Sequence, residues 1–267
     1  MRVLLHVALS GAVLFLIPAA VRADDATSLL AKHRAFAGWS AASGVAWHAS
    51  GTRSDGPTTD AFSESRRGLI FRDTLTSADG HLSIQNGFTG RAVWKTNENA
   101  NFVAVLGHSG RVAIDRDAIL GEATTDMSGA SGEGSATVRG AATTIVRLSP
   151  AAGLPMDLYV DPQTGAYLRA VIDPQGEPQT IDITRYGSLG SDKKFAAAYD
   201  YDGKHYDLAQ VDASKPVADA DLLPPTATSS WTFAAGAVPL DMFSLGGSAF
   251  EPRVHASVNG HPGTFLL

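Results

Sequence analysis

The chain of 267 residues contains no cysteine. That excludes disulfides, thiolate catalysis, Cys-ligated zinc, iron–sulfur clusters and a lipid anchor on an N-terminal cysteine. Charge is scarce, at 18 % of residues, and it leans acidic, with a net charge of −6. No basic patch or stripe stands out, which argues against nucleic acid as a partner. Long hydrophobic runs are absent after the first twenty-odd residues, so no stable membrane span is expected in the mature protein. No complete catalytic constellation is present either. The chain lacks H-E-x-x-H, H-x-x-x-H, G-x-S-x-G and Asp-Thr/Ser-Gly. No catalytic residue, metal ligand or cofactor site is therefore assigned.

What is there begins with a targeting segment, 1–23. Arg2 supplies a positive start, Val3 to Ile17 is apolar, Pro18 ends the run, and Val21-Arg22-Ala23 offers small residues for cleavage before Asp24. The mature protein is expected to be periplasmic or secreted. Asp25 to Gly38 reads as a helix, with Asp25 or Thr27 to cap it and Gly38 at the C′ position. His33 is read as a packed helix residue rather than a ligand.

From Ser43 the apolar period shortens to two. Val45, Trp47 and Ala49 alternate with polar neighbours, and short strands follow at 60–66, 68–76, 81–85, 91–95 and 101–106. Asp79-Gly80, Asn86-Gly87 and Asn97–Asn99 punctuate them as turns. Strands joined by short turns form an antiparallel meander. Gly110 to Glu122 interrupts it with a helix whose apolar stripe is Val112, Ile114, Ala118, Ile119 and Leu120. Ser109 is read as that helix's cap. Ala123 to Gly140, including Gly129–Gly134, is expected to be a mobile loop.

Strands resume at 143–148, 156–160, 166–172, 180–186, 194–201 and 205–210, with turns at Asp161–Gly165 and Asp202-Gly203. Trp47 and Trp94 are expected in the core or a cavity wall. Asp200, Asp202 and Asp207 are taken as turn and outward-facing carboxylates, since no glutamate closes a calcium loop. Asp212 to Ser230, with Pro216, Pro224 and Pro225, suggests a linker. Short strands are expected at Trp231–Phe233 and Val238–Leu240. The chain closes with a hairpin in which Val254, Ala256 and Val258 alternate with Arg253, His255 and Ser257. Asn259-Gly260 supplies its two-residue turn. That turn places His255 opposite Thr264 and His261 opposite Val258, so the two histidines fall on opposite faces and cannot share a metal.

Two family resemblances attach to these residues. Val254–Leu267 (VHASVNGHPGTFLL) resembles the opening hairpin of a retropepsin-like aspartic peptidase, in which such strands lead into Asp-Thr/Ser-Gly. The resemblance implies the non-catalytic N-terminal part of an aspartic endopeptidase, truncated before the aspartate and inactive as given. A polypeptide would be its substrate, and a dimer would form once the peptidase domain is completed. The stretch Asp25–Val211, with NGFTGRAVW, LYVDPQTGAYLRAVID and IDITRYGSL, is similar to the lipoprotein-carrier (LolA/LppX-like) half-barrel domains. It also looks like the region in front of exported bacterial aspartic peptidases. The carrier resemblance implies a curved antiparallel sheet covered by helices, enclosing an apolar cavity for a lipid or lipoprotein acyl chain. The expected organisation is thus mainly β: a targeting segment 1–23, a half-barrel with one or two helices at 24–211, a Pro-rich linker 212–230, and the first strands of a second β domain at 231–267.

Overall fold

The computed structural model describes residues 23–39, 45–96, 102–105, 107–123, 129–150, 153–224, 241–246, 249–258 and 261–266. The targeting segment up to residue 22, the Asn97–Asn99 turn, the strands expected at 231–233 and 238–240, and the Asn259-Gly260 turn lie outside the described residues.

Helix α1 (Ala23–Ala37) opens the described chain. It stops where expected. Gly38 adopts φ +71°, and its N–H donates to the Arg34 carbonyl at 2.9 Å. A side chain there would be strained. Strands β1 (Ala46–Asp55), β2 (Thr58–Arg67), β3 (Ile70–Thr76), β4 (Ser83–Phe88), β5 (Val93–Thr96) and β6 (Phe102–Val105) then step outward from the middle of a sheet to one edge. Helix α2 (Gly107–Leu120) carries the chain across to the opposite edge.

There β7 (Ser131–Val138) starts a second run that returns inward. It continues through β8 (Ala141–Leu148), β9 (Met156–Val160), β10 (Tyr167–Ile172), β11 (Gln179–Leu189), β12 (Lys193–Tyr201) and β13 (Lys204–Asp212). β13 pairs with β1 and joins the two meanders. The result is one 13-stranded antiparallel sheet, ordered β6-β5-β4-β3-β2-β1-β13-β12-β11-β10-β9-β8-β7.

The period of two is realised as two faces. On β1, Trp47 and Ala49 are buried while His48 and Ser50 are less so, and on β2 Phe62, Glu64 and Arg66 point inward. Helices α1 and α2 cover this inner face. The larger apolar cluster joins Ala26 and Leu30 of α1, Val112, Ile119 and Leu120 of α2, and the inner side chains of β8 to β12. Leu30 is 1 % exposed; its burial contributes about 2 kcal/mol. A second cluster gathers Trp39, Trp47, Phe62, Leu75 and Phe195 around β1.

The tight turns carry the backbone signature of type I′: Asp202-Gly203 has φ 52° and 71°, and Arg139-Gly140 has φ 48° and 83°. In LYVDPQTGAYLRAVI, β9 and β10 pair as expected. The turn glycine Gly165 (φ +86°) lies against α1, where a Cβ would come within 2.9 Å of Lys32 and His33 backbone atoms.

Three expectations need correction. Asn86-Gly87 is not a turn: both residues lie inside β4, and ladders to β3 on one side and β5 on the other hold the backbone extended there. The stretch 123–140 is not simply a loop, because residues 131–138 are β7, paired along its length with β8. Its side chains are mostly small and polar, so no apolar alternation marks it. The backbone ladder holds it, with an irregularity between Gly132 and Gly134. Ser109 does not cap α2, since the helix already begins at Gly107.

In the stretch expected as a linker, β13 runs on to Asp212 and a short helix, α3 (Asp219–Leu222), follows. Val217 and Leu222 are buried. Arg67, on the outer side of β2, donates to Asp219 at 2.6 Å and to the Val217 carbonyl at 3.3 Å. These contacts bind 217–222 to the outer face of the sheet.

The chain divides into two compact units, Met1–Thr226 and Ala227–Leu267. In the second, β14 (Asp241–Gly246), β15 (Ala249–Val258) and β16 (His261–Leu266) form an antiparallel sheet in the order β14-β15-β16. The register of β15 and β16 pairs His255 with Thr264 and Val258 with His261, as the two-residue turn requires.

Candidate functional site

The inner face beneath α2 holds the feature of most chemical interest: a buried charged network. On β2, Glu64 and Arg66 follow Phe62 at spacings of two, so the strand aims all three inward. Arg66 is fully buried. Its Nε donates to Glu64 Oε1 at 2.7 Å and its Nη2 to Glu64 Oε2 at 3.1 Å. Nη2 also donates to Asp117 Oδ1 at 2.6 Å, and Nη1 to the Asp117 carbonyl at 2.9 Å. That carbonyl belongs to the last turn of α2, where a cation is favoured by the helix dipole. Gly121 makes the approach feasible, since a Cβ there would stand 2.7 Å from Arg66 Nη1. Trp47 Nε1 donates to Glu64 Oε1 at 2.7 Å, which completes that carboxylate's coordination.

Arg116 joins from α2. Its Nε donates to Asp117 Oδ2 at 3.0 Å, and its guanidinium lies 5.1 Å over the Tyr201 ring. Asp73 on β3 stands directly opposite Glu64 in the β2–β3 ladder. Like charges so placed repel. Burial, reinforced by Asp117 and Glu64, pushes the Asp73 carboxyl well above the usual carboxylate range, and Arg116 and Arg66 offset this only in part. Asp73 is 7 % exposed, and its Oδ1 has no hydrogen-bond partner in the protein. For Arg66 and Arg116, burial pulls downward, but the neighbouring carboxylates outweigh it and hold both guanidinium pKa values above the ordinary value.

Asp73 and Arg116 border a cavity of about 30 Å³, walled by Phe62, Leu75 and three tyrosines. Tyr199 and Tyr206 stack there at 4.7 Å between centroids. Burial raises the pKa of both phenols, so both keep their protons.

Two further ties hold α2. Asp115 is buried and accepts from Arg111 Nη2 at 2.9 Å and from the Leu154 N–H at 2.9 Å. Past the helix C-terminus, Glu122 takes a left-handed φ of 53°, and its Oε2 lies 2.7 Å from His33 Nε2. His33 Nδ1–H donates to the Gly165 carbonyl at 2.8 Å, and the ring stacks on Tyr167. His33 is thus a packed helix residue, as read, and it links α1, α2 and the β9–β10 turn.

The other weighed residues stay apart from this network. Asp200, Asp202 and Asp207 are surface carboxylates paired with His205, Lys204 and Arg185. Trp47 and Trp94 are both core residues, each 2 % exposed. Two shallow, open hollows of about 430 and 670 Å³ lie along β1 and β13; the smaller presents mostly apolar surface, including Ala61, Phe62 and Ala209, and the larger mixes polar and apolar surface about evenly. Among the described residues, no helix is long and apolar enough to cross a membrane.

Sequence reading missed Glu64, Arg66, Asp73, Arg116 and Asp117 as a group. A signal existed: Glu64 and Arg66 share the strand parity of Phe62, and Asp73 that of Phe71 and Leu75. Charges on the apolar parity of a strand are either buried or mark an edge.

No family model and no curated protein matches the chain. Among solved structures, a LolA superfamily protein from Nitrosomonas europaea aligns over 74 % of this chain and 97 % of its own, with 11 % identity and a TM-score of 0.50. The fold is LolA-like. A putative outer membrane lipoprotein-sorting protein domain from Vibrio parahaemolyticus aligns over 75 % of this chain and 97 % of its own, at 9 % identity and a TM-score of 0.49. A DUF1329 family protein from Desulfovibrio piger gives 74 %, 97 %, 11 % and 0.48. The LolA-like expectation from Asp25–Val211 holds at the level of fold.

Proposed function

We propose that the LolA-like unit is a periplasmic carrier of an acyl chain, from a lipid or a lipoprotein, bound between α2 and the inner face of the sheet. The observation that carries this reading is the make-up of that interface. Under α2, together with α1, the sheet is lined by Leu148, Leu158, Val160, Ala170, Ile172 and Ile181, all fully buried. The helix is clamped over them partly by charged contacts rather than by packing alone. Apolar groups can exchange one hydrocarbon neighbour for another at little cost. Charged tethers, once lifted into water, recover hydration. An acyl chain can therefore enter as the helix swings outward and pack against α2's apolar stripe once the helix has closed over it. The outer hollows are larger, but both are open to solvent and would bury little of an acyl chain.

The test is to purify the protein under native conditions, extract it, and identify bound lipid by mass spectrometry. Delipidated protein is then titrated with N-phenyl-1-naphthylamine. Acyl lipid in the extract and a saturable fluorescence rise are expected. Folded protein with neither would overturn the reading. The aspartic-peptidase reading has only the two sequence resemblances behind it, the terminal hairpin and the region in front of it.

A further inference from the structure

The cavity at Asp73 allows the polar end of the ligand to be specified, and this step rests on the carrier reading. We infer that the pocket bounded by Phe62, Asp73, Asn86, Arg116, Tyr199 and Tyr206 receives an uncharged carbonyl oxygen, as of an acyl ester or acyl amide, and discriminates against fatty carboxylates and alkylammonium ions.

Three observations lead there. The first is size. About 30 Å³ accommodates an oxygen of water dimensions, not a solvated phosphate. The second is the unmet hydrogen-bonding capacity of Asp73, which is buried with Oδ1 unpartnered inside the protein and borders the cavity. A protonated carboxyl donates one hydrogen bond, and a carbonyl oxygen is its natural acceptor. The phenols of Tyr199 and Tyr206 retain their protons and border the same space.

The third is charge. Glu64 and Asp117 are matched by Arg66 and Arg116, through contacts of 2.6 to 3.0 Å. The matched set is neutral only while Asp73 keeps its proton. A ligand carboxylate at this spot would meet the same burial, Glu64 and Asp117 that disfavour ionisation of Asp73 itself. An ammonium would meet the guanidinium of Arg116, whose Nη2 is 4.0 Å from Asp73 Oδ2. A neutral acceptor meets neither obstacle. A well-made neutral hydrogen bond in a dry site is worth about tenfold in affinity.

The experiment uses the full chain, delipidated, with N-phenyl-1-naphthylamine as the reporter. Displacement is compared for monolaurin, laurate and dodecyltrimethylammonium, which share a chain length and differ in head charge. Monolaurin is expected to compete at least about tenfold more strongly than either ion. Asp73→Leu is expected to abolish that preference while the probe still binds. Asp73→Asn, which keeps a donor and cannot ionise, is expected to retain it. Equal competition by all three ligands, or an Asp73→Leu protein with the preference intact, would overturn the inference and leave the carrier reading standing. Failure of folded wild-type protein to bind the probe, with no acyl lipid in its extract, would overturn both. If Asp73→Leu does not fold, loss of the preference in Asp73→Asn would still refute the role given to a neutral donor.

Discussion

Arg66→Met is the sharpest perturbation of the inner network. The substitution removes one cation and leaves Glu64 and Asp117 buried without it. Four hydrogen bonds go with it, at 2.6, 2.7, 2.9 and 3.1 Å. One of them closes the last turn of α2. Removing one partner of a buried ion pair costs about 3–5 kcal/mol, mostly through the charge left behind. The side chains of Glu64 and Asp117 are only 7 % and 3 % exposed, so water gives little relief. The upper half of that range is therefore expected.

A companion variant tests the reason. In Arg66→Met/Glu64→Gln the orphan charge is removed as well, while Asp117 keeps Arg116 as its partner. The glutamine Oε1 can still accept from Trp47 Nε1, which now stands 2.7 Å from the glutamate oxygen. Most of the loss should return, leaving a deficit of about 1–2 kcal/mol for the missing contacts to α2. Urea unfolding followed by tryptophan fluorescence gives both numbers, with Glu64→Gln alone to close the cycle. The reasoning fails if Arg66→Met costs less than about 1 kcal/mol, or if the double variant is no more stable than the single one.

Other substitutions probe the rest of the scaffold. Asp73→Asn tests the raised pKa through its sign. A carboxyl whose folded pKa lies above its unfolded value contributes stability at pH below the unfolded value, and that contribution is lost as pH rises through the folded one. The Asn variant lacks this decline, so its stability relative to wild type should increase between about pH 4.5 and pH 8; a pH-independent difference in urea midpoints would show that the carboxyl is not buried in this field. Gly165→Ala should cost about 1–3 kcal/mol, because φ is +86° and the new Cβ would press on the backbone of Lys32 and His33; an unchanged thermal midpoint would mean that α1 does not rest on the β9–β10 turn. Leu158→Ala, at a site with no exposure, should cost about 2–5 kcal/mol, and a loss under about 1 kcal/mol would place α2 further from the sheet than described.

Most of the sheet was legible in the sequence. Its strands follow apolar alternation, and its hairpins follow Asp-Gly and DPQTG turns, both local signals. The pairing of β13 with β1 was not legible in that way, because it joins residues some 160 apart. No local pattern encodes such a contact. Strand β7 escaped for a different reason. An edge strand with side chains such as Gly132, Gly134 and Ser135 is specified by its neighbour's backbone rather than by its own periodicity.

The inner network shows where alternation misleads. Glu64, Arg66 and Asp73 occupy inward positions that a pattern rule reserves for apolar residues, and α2 carries Asp115 and Asp117 on its buried side. Read one element at a time, each weakens the case for a buried face. Read together they compensate: β2 supplies Glu64 and Arg66, β3 supplies Asp73, and α2 supplies Arg116 and Asp117. None of these elements can bury its charges without the others. The chain thereby makes the seating of α2 depend on electrostatic matching as well as on apolar area. Apolar area tolerates a sliding helix, whereas Arg66 accepts one position, with the Asp117 carbonyl and carboxylate both in reach. A helix held this way has a well-defined closed state and a polar route out of it. Under the carrier proposal, enclosing an acyl chain and later releasing it calls for both.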